Sequence, residues 1–329
     1  MHLLTSRFLG ILLFMFSTQL TAQTAVKLSG TIQNASAIIQ FSSPYFSDYL
    51  TLTADGRFEV NFMADEFPVP VAFISASAKG RIQSISPTLW LVTSEHILDL
   101  NAAKKTMTYS LSPLSPDQQL SEKFETAKGA QFEQLLKKHS ANRTSLYILY
   151  QRKREFSPAH LATLLTIIPE AVHTDEYYLA LAAYVTAKQQ KSPKKGDVFQ
   201  TFTATDNAGN KVNISPKQEN YRLLALLSPS CQYSLKSIEV LNSLNEHYAG
   251  KLEIVGIWSA SGSSDLQTKY KEQIEKVSWS NYWDNNAYAE YYFNAEYISP
   301  TFLLVDRNGV IIERIEMLYP DKLKAFRLP

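Results

Sequence analysis

The apolar positions of the chain follow three different patterns, one after another. Over residues 26–111, apolar residues alternate with polar ones, which is typical of strands with one buried face. The dipeptide Asp55-Gly56 separates two such runs, and these residue types tolerate the positive φ angles of a hairpin turn. The pattern predicts an antiparallel β-sandwich over residues 23–113.

The alternation gives way to helical spacing at Ser115-Pro116. A capping hydroxyl followed by a proline in the first turn is typical of a helix start, and a second start of the same kind follows at Ser157. Apolar residues then recur three and four positions apart. We predict a short all-helical insert over residues 114–190, followed by a charged linker over residues 191–196 that is rich in helix breakers.

Strands and helices alternate in the last part of the chain. Residues 221–227 are almost all apolar, as expected for a central strand that is covered on both faces. A segment with a helical apolar stripe follows directly, and a turn at residues 306–309 indicates a closing hairpin. The order predicts a mixed α/β sheet flanked by helices over residues 197–329.

The first residues have the three regions of a secretory signal peptide. Arg7 precedes an apolar run over residues 8–16, and small and polar residues follow up to Ala22. The run is shorter than the about 20 residues that span a bilayer, so we predict a cleaved signal over residues 1–22 and no retained transmembrane anchor. No cysteine lies near the cleavage position, which excludes attachment of a lipid there.

Composition and charge exclude several classes of function. Lys and Arg number 32 against 31 Asp and Glu, a formal net charge of +1, and no basic run is dense enough to bind nucleic acid. The six histidines are scattered without the paired spacing of a zinc site. No phosphate-binding loop or dinucleotide fingerprint occurs. The sequence predicts no cofactor and no metal.

Cys231 is the only cysteine of the chain. A single thiol forms no internal disulfide, so the fold must be held together by its core. The thiol is then a buried filler, a reactive group or a point of pairing with another chain. Nothing in the sequence favours a dimer linked through this residue, and the oligomeric state stays open.

Four stretches of the C-terminal region have the order and spacing of motifs in one known family. They are the segment 196–202 with its turn at 206–209, the segment 228–234, the segment 298–302 and the hairpin at 304–309. In these stretches the chain resembles the TlpA-like group of thioredoxin-fold proteins, which are exported thiol-disulfide oxidoreductases of bacterial envelopes. The residues before the linker resemble, more loosely, a β domain of unknown function and a helical insert that often precede such modules.

The resemblance implies a thioredoxin-like fold for residues 197–329 and a set of site residues. Cys231 stands where the family has the first cysteine of its CxxC motif, and Ser234 stands where it has the second, which gives a CxxS site. Ser299, Pro300 and Thr301 match the cis-proline loop that docks substrates. The implied location is the periplasm or envelope of a bacterium, and the implied partners are protein thiols or disulfides there.

The chemistry of Cys231 is predicted from its place after a central strand. A thiol at a helix N-terminus is favoured as thiolate by the helix dipole and the unpaired N–H groups. Ser234 lies one turn later and is expected to donate a hydrogen bond to the sulfur. A dithiol cycle needs two sulfurs, so Cys231 is expected to form a mixed disulfide that an outside thiol resolves.

Departures from the family pattern support an alternative. Ser230 replaces the tryptophan before the first cysteine, and Ala225 replaces a carboxylate six residues before it. The alternative is a redox-inactive thioredoxin-fold binding or structural module of the cell envelope, in which Cys231 is a filler. A third reading, a peroxidatic cysteine, has weaker support, because Ser228 only partly matches the threonine of peroxiredoxins and Leu224 replaces their proline.

Overall fold

The computed structural model describes residues 23–44, 47–229, 231–259, 271–274, 276–296, 298–316 and 327–328. The predicted signal peptide over residues 1–22 lies outside this part of the chain, as does Ser230. Within the described part, no helix combines the length and the apolar character needed to cross a membrane.

The N-terminal region forms two sheets that enclose a core. The nine strands are β1 (Thr24–Gln33), β2 (Ile38–Ser42), β3 (Ser47–Leu50), β4 (Arg57–Ala64), β5 (Val69–Ala76), β6 (Ile82–Ile85), β7 (Leu89–Leu91), β8 (Glu95–Asn101) and β9 (Thr108–Ser112). One sheet has the order β4-β1-β8-β9, and the other has the order β3-β2-β5-β6 with β7 paired to β5. Strand β4 alternates strictly between exposed and buried residues, and the buried ones, with Leu28, Phe41 and Phe73, fill the space between the sheets.

The first sheet is mixed, so the prediction of an antiparallel sandwich is wrong in this respect. Strand β1 pairs in parallel with β8, with Leu28 opposite His96. Alternation shows which face of a strand is buried but not the direction of its neighbour. Parallel pairing needs a long crossover, and here strands β2 to β7 intervene. The two strands approach closely at Gly30, where a Cβ atom would lie 1.7 Å from the carbonyl oxygen of Leu98.

The middle of the chain is helical. The helices are α1 (Pro116–Thr126), α2 (Ala130–Lys138), α3 (Arg143–Gln151), α4 (Pro158–Leu165) and α5 (Glu176–Lys188), with 3₁₀ turns at Lys153–Glu155 and Glu170–Val172. The hydroxyl of Ser115 accepts a hydrogen bond from the backbone N–H of Gln118, and that of Ser157 accepts one from His160. The serine and proline pairs of the sequence therefore begin helices α1 and α4.

The C-terminal region is a seven-stranded mixed sheet. Its strands are β10 (Phe202–Thr205), β11 (Lys211–Ile214), β12 (Tyr221–Leu227), β13 (Leu252–Ser259), β14 (Ser280–Asp284), β15 (Thr301–Val305) and β16 (Ile311–Glu316), and its helices are α6 (Gln232–His247), α7 (Lys271–Ile274) and α8 (Tyr288–Tyr292). The order is β11-β10-β14-β13-β12-β15-β16. Strand β12 is parallel to β13 and antiparallel to β15, and α6 follows β12 directly. This is a thioredoxin-like arrangement.

Both faces of this sheet are covered, which explains the apolar run of β12. Leu224 and Leu226 belong to a core that also contains Phe124 and Phe132 of the helical insert. Leu223, Ala225 and Leu227 face the opposite way and pack with Ile238 and Leu241 of α6. Helix α6 therefore covers one face of the sheet, and the other face belongs to a core that the C-terminal region shares with the helical insert.

The segment 191–196 is held against the sheet. The backbone N–H of Gly196 donates to the carbonyl of Ile311 at 2.8 Å, and the ammonium of Lys191 lies 3.0 Å from the carboxylate of Asp197. Because one core extends from the helical insert into the sheet, this segment connects two parts that pack together. The division of the chain into units at this segment stays a prediction.

Arg143 joins the β-sandwich to the helical insert. Its guanidinium pairs with Glu66 between β4 and β5 and with Asp175 and Glu176 at the start of α5, at 2.7 Å for Asp175. It also lies 4.9 Å from the ring centre of Tyr177. The side chain is only 10% exposed, so the three carboxylates compete for one poorly solvated cation.

Replacement of Arg143 by methionine is expected to destabilise the fold strongly. The change leaves the poorly exposed carboxylates of Asp175 and Glu176 without their cation, and breaking a buried ion pair typically costs about 3–5 kcal/mol. Arg57→Met is the matched control, because Arg57 pairs with Asp55 on an exposed turn and such pairs contribute little. Urea denaturation of both variants measures the difference, and equal midpoints would contradict the structural role of Arg143.

His96 predicts a pH dependence of stability. It is buried, and its Nε2 accepts hydrogen bonds from the backbone N–H groups of Val92 and Thr93 at 3.0 and 3.2 Å. Burial lowers the pKa of His96 from 6.5, so below that pH the unfolded chain binds a proton more readily than the folded one. The contribution of neutral His96 to stability is complete above about pH 6.5. It declines as the pH falls towards the lower pKa that His96 has in the folded state.

The fall in the urea midpoint between about pH 7.5 and about pH 5.5 should be smaller in His96→Gln, which keeps an acceptor but has no titrating ring. His160→Gln on α4 serves as the exposed control. An unchanged pH dependence in His96→Gln would show that other groups cause it.

Candidate functional site

The candidate site lies where β12 ends and α6 begins. Cys231 is the N-cap residue of α6, with an extended backbone at φ −92° and ψ 114°. Its N–H donates to the carbonyl of Ser228 at 3.1 Å, which closes the turn between the strand and the helix. The side chain of Cys231 is half-buried and makes no capping hydrogen bond to α6. The sulfur is thus placed at the carboxyl end of the central strand beside the helix N-terminus.

The segment before β15 lies against this sulfur. The Sγ atom of Cys231 donates to the carbonyl oxygen of Ser299 at 3.3 Å, and the Ser299–Pro300 peptide bond is cis. The structure thus brings the sulfur of Cys231 next to Ser299, the first residue of the segment 299–301.

Ser234 has different partners from the one predicted. Its side chain is fully buried, and its hydroxyl accepts from the N–H of Ser228 at 3.1 Å and lies 2.9 Å from the hydroxyl of Ser299. These are the bonds that the described part of the chain gives it, and the predicted bond to Cys231 is not among them. The N–H of Ser228, directly after β12, thus has the hydroxyl of Ser234 as its acceptor.

The other predicted docking residues are buried. Thr301 is fully buried, and its hydroxyl donates to the carbonyl of Ile298 at 2.5 Å. In the sheet it pairs with Leu226 of β12, so it fixes the start of β15 next to the central strand. Pro300 is also buried. The role of Ser299, Pro300 and Thr301 in docking a substrate stays a prediction.

Two carboxyl groups at the same edge of the sheet were missed by the sequence analysis. Asp284 ends β14, and its carboxylate accepts from the N–H of Ala289 at 2.6 Å, which holds the start of α8. Burial raises the pKa of Asp284 to about 6. Burial, and then the nearby charge of Asp284, raise the pKa of Glu290 to about 7, against a hydrogen bond from Ser259 that lowers it.

These carboxyl groups share an edge with Cys231 because β12, β13 and β14 are parallel. The signal that would have found Asp284 is an aspartate at the end of a strand and four residues before a helix. Ala225, which stands where the resemblance has a carboxylate, is fully buried against α6. The described residues contain no group of three or more His, Cys, Asp or Glu arranged to hold a metal ion.

Comparison with known proteins gives structural likeness alone. No family model matches the chain, and no curated protein matches it. A thioredoxin domain of a thiol-disulfide oxidoreductase from Bacteroides vulgatus is 21% identical, with a TM-score of 0.35, over 41% of this chain and 95% of that one.

Two further solved structures show the same kind of likeness. StoA from Bacillus subtilis is 16% identical, with a TM-score of 0.33, over 39% of this chain and 98% of its own. A thioredoxin-like protein from Bacteroides caccae is 15% identical, with a TM-score of 0.34, over 59% of this chain and 75% of its own. These structures are similar to part of the chain in fold.

Removal of the Ser234 hydroxyl is expected to destabilise the fold by about 1–3 kcal/mol, the cost of an unpaired buried donor. In Ser234→Ala the N–H of Ser228 and the hydroxyl of Ser299 both lose a partner. Ser237→Ala is the matched control on the same helix, because its hydroxyl only donates to the carbonyl of Ser234 at 2.7 Å. Urea denaturation should show a clearly larger loss for Ser234→Ala, and equal losses would rule out the bridging role of Ser234.

Proposed function

We propose that this protein exchanges thiols and disulfides with partner proteins through Cys231 alone, in the periplasm or envelope of a bacterium. The observation that carries the proposal is the position of the sulfur. Cys231 is half-buried at the N-terminus of α6 and lies 3.3 Å from the backbone of the segment that precedes β15. A reachable thiol next to helix N–H groups can attack a disulfide of another chain.

The reaction is a two-step exchange. Cys231 loses its proton to solvent, and its sulfur attacks one sulfur of a partner disulfide. The partner's S–S bond breaks, a mixed disulfide with Cys231 forms, and the second partner sulfur leaves as a thiolate. Ser234 offers no second sulfur, so a thiol of the partner or of a third molecule must break the mixed disulfide and release Cys231.

A redox-inactive binding or structural module is the second candidate. The observation in its favour is that the Sγ atom of Cys231 already contacts the carbonyl oxygen of Ser299 within the chain. In addition, the hydroxyl of Ser234 is occupied by Ser228 and Ser299. In this reading the Ser299 segment is held by Cys231 and Ser234 for shape, and the thioredoxin-like fold serves as a recognition surface.

The rate of alkylation of Cys231 in the folded chain, measured against pH, separates the two candidates. The proposal predicts fast alkylation with a midpoint well below the about 8.5 of a free thiol. It also predicts that a peptide disulfide converts Cys231 into a stable mixed disulfide, seen by mass spectrometry. Protection of the thiol until the chain is unfolded would overturn the proposal in favour of the binding module.

Ser234→Cys is the gain-of-function control for this experiment. Positions 231 and 234 are three residues apart at a helix start, where side chains lie on neighbouring positions of the surface. The variant is expected to resolve its own mixed disulfide and release the peptide thiol, whereas the parent chain accumulates the adduct. Accumulation in both chains would show that residue 234 is out of reach of the sulfur of Cys231.

A further inference from the structure

A cavity of about 230 Å³ lies where the helical insert meets the β-sandwich. The ends of β2 and β5 form one wall, which includes Ser42 and Pro70, and helices α3 and α5 form the other. Ligand sites occur preferentially where two parts of a protein meet, and sites for drug-sized molecules have about 300–1,000 Å³. This cavity is smaller, so it suits a ligand of about one six-membered ring.

The helical wall of the cavity is aromatic. Tyr147, Tyr150 and Tyr177 all line it. The ring centres of Tyr147 and Tyr177 are 5.1 Å apart, and those of Tyr150 and Tyr177 are 5.9 Å apart. The faces of such rings carry negative charge density and attract cations.

The fold already places its own cations on these rings. The ammonium of Lys153 lies 3.8 Å from the ring centre of Tyr150, on the side of Tyr184 and Tyr291, whose ring centres are each 5.7 Å away. The guanidinium of Arg143 lies over Tyr177 at 4.9 Å. Two of the three tyrosines of the cavity thus each contact a positive group of this chain.

One carboxyl group lies in the same wall. Glu176 lines the cavity and pairs with Arg143, but that guanidinium is shared with Glu66 and Asp175. Burial raises the pKa of Glu176 to about 7 even though Arg143 lowers it. Three carboxylates thus share one guanidinium, and this excess of negative charge would stabilise a second cation beside Glu176.

We propose that this cavity binds a small organic molecule that carries a primary ammonium group, with Glu176 as its counter-ion and the three tyrosine rings as its walls. The ammonium pairs with the carboxylate of Glu176 and lies against the aromatic faces. The apolar part of the ligand packs on Pro70 and on the rings. The site is separate from Cys231, so it adds a ligand to the chain independently of thiol exchange.

Isothermal titration calorimetry of the full chain with three probes of equal shape tests this proposal. The probes are cyclohexylammonium, cyclohexanol and cyclohexanecarboxylate, at constant ionic strength and neutral pH. We expect cyclohexylammonium to bind with a dissociation constant of about 1 mM, cyclohexanol at least about tenfold more weakly, and the carboxylate not at all. Equal binding of the alcohol, or no binding of the ammonium up to about 20 mM, would overturn the proposal.

Variants locate the binding. Glu176→Gln keeps the shape of the wall and removes its charge, and it should weaken cyclohexylammonium binding at least about tenfold. Glu59→Gln, on the exposed face of β4, is the charge-matched control and should bind as the parent chain does. Ala180→Leu fills the cavity without changing a charge, and it should abolish binding. If Glu176→Gln fails to fold, Ala180→Leu still tests whether the ligand binds in this cavity. Unchanged binding in Ala180→Leu would place the ligand elsewhere.

Discussion

The burial of β12 on both faces is the constraint on which the rest of the structure depends. A strand with apolar residues on both sides is stable only if two layers cover it. Helix α6 supplies one layer, and the other face of β12 belongs to a core that contains Tyr292 and Phe293 and extends into the helical insert. The insert and the C-terminal region therefore share one core, although the insert comes first in the chain. Because β12 is fixed in this way, its carboxyl end holds Cys231 at a defined place.

The same constraint determines what the site contains. The turn after β12 brings the backbone N–H of Ser228 next to α6, where it needs an acceptor. In a CxxC site the residue at position 234 would be a thiol, which is a weak acceptor. The hydroxyl of Ser234 accepts this hydrogen bond and also contacts Ser299. Ser234 thus ties α6 to the segment before β15.

The spacing of apolar residues along the sequence was enough to predict the type of secondary structure in each region. Alternation in β4, the serine and proline pairs at 115 and 157, and the doubly buried β12 all follow from local rules. The parallel pairing of β1 with β8 was not predictable, because strand direction depends on the path of the chain between the strands. The partners of Ser234 were missed because helical spacing predicts on which side of a helix a residue lies. It does not predict how deeply the residue is buried or which groups it contacts.

The cavity was beyond the sequence for a similar reason. Tyr150 and Glu176 belong to different helices, and only their packing brings them to one wall. The packing also connects the two candidate sites physically. The hydroxyl of Tyr150 lies 3.4 Å from that of Tyr291 on α8. After α8, the N–H of Ile298, the residue directly before Ser299, donates to the carbonyl of Ala295. A ligand in the cavity would move the Ser299 segment only if these contacts have two arrangements and the ligand binds one of them more tightly than the other.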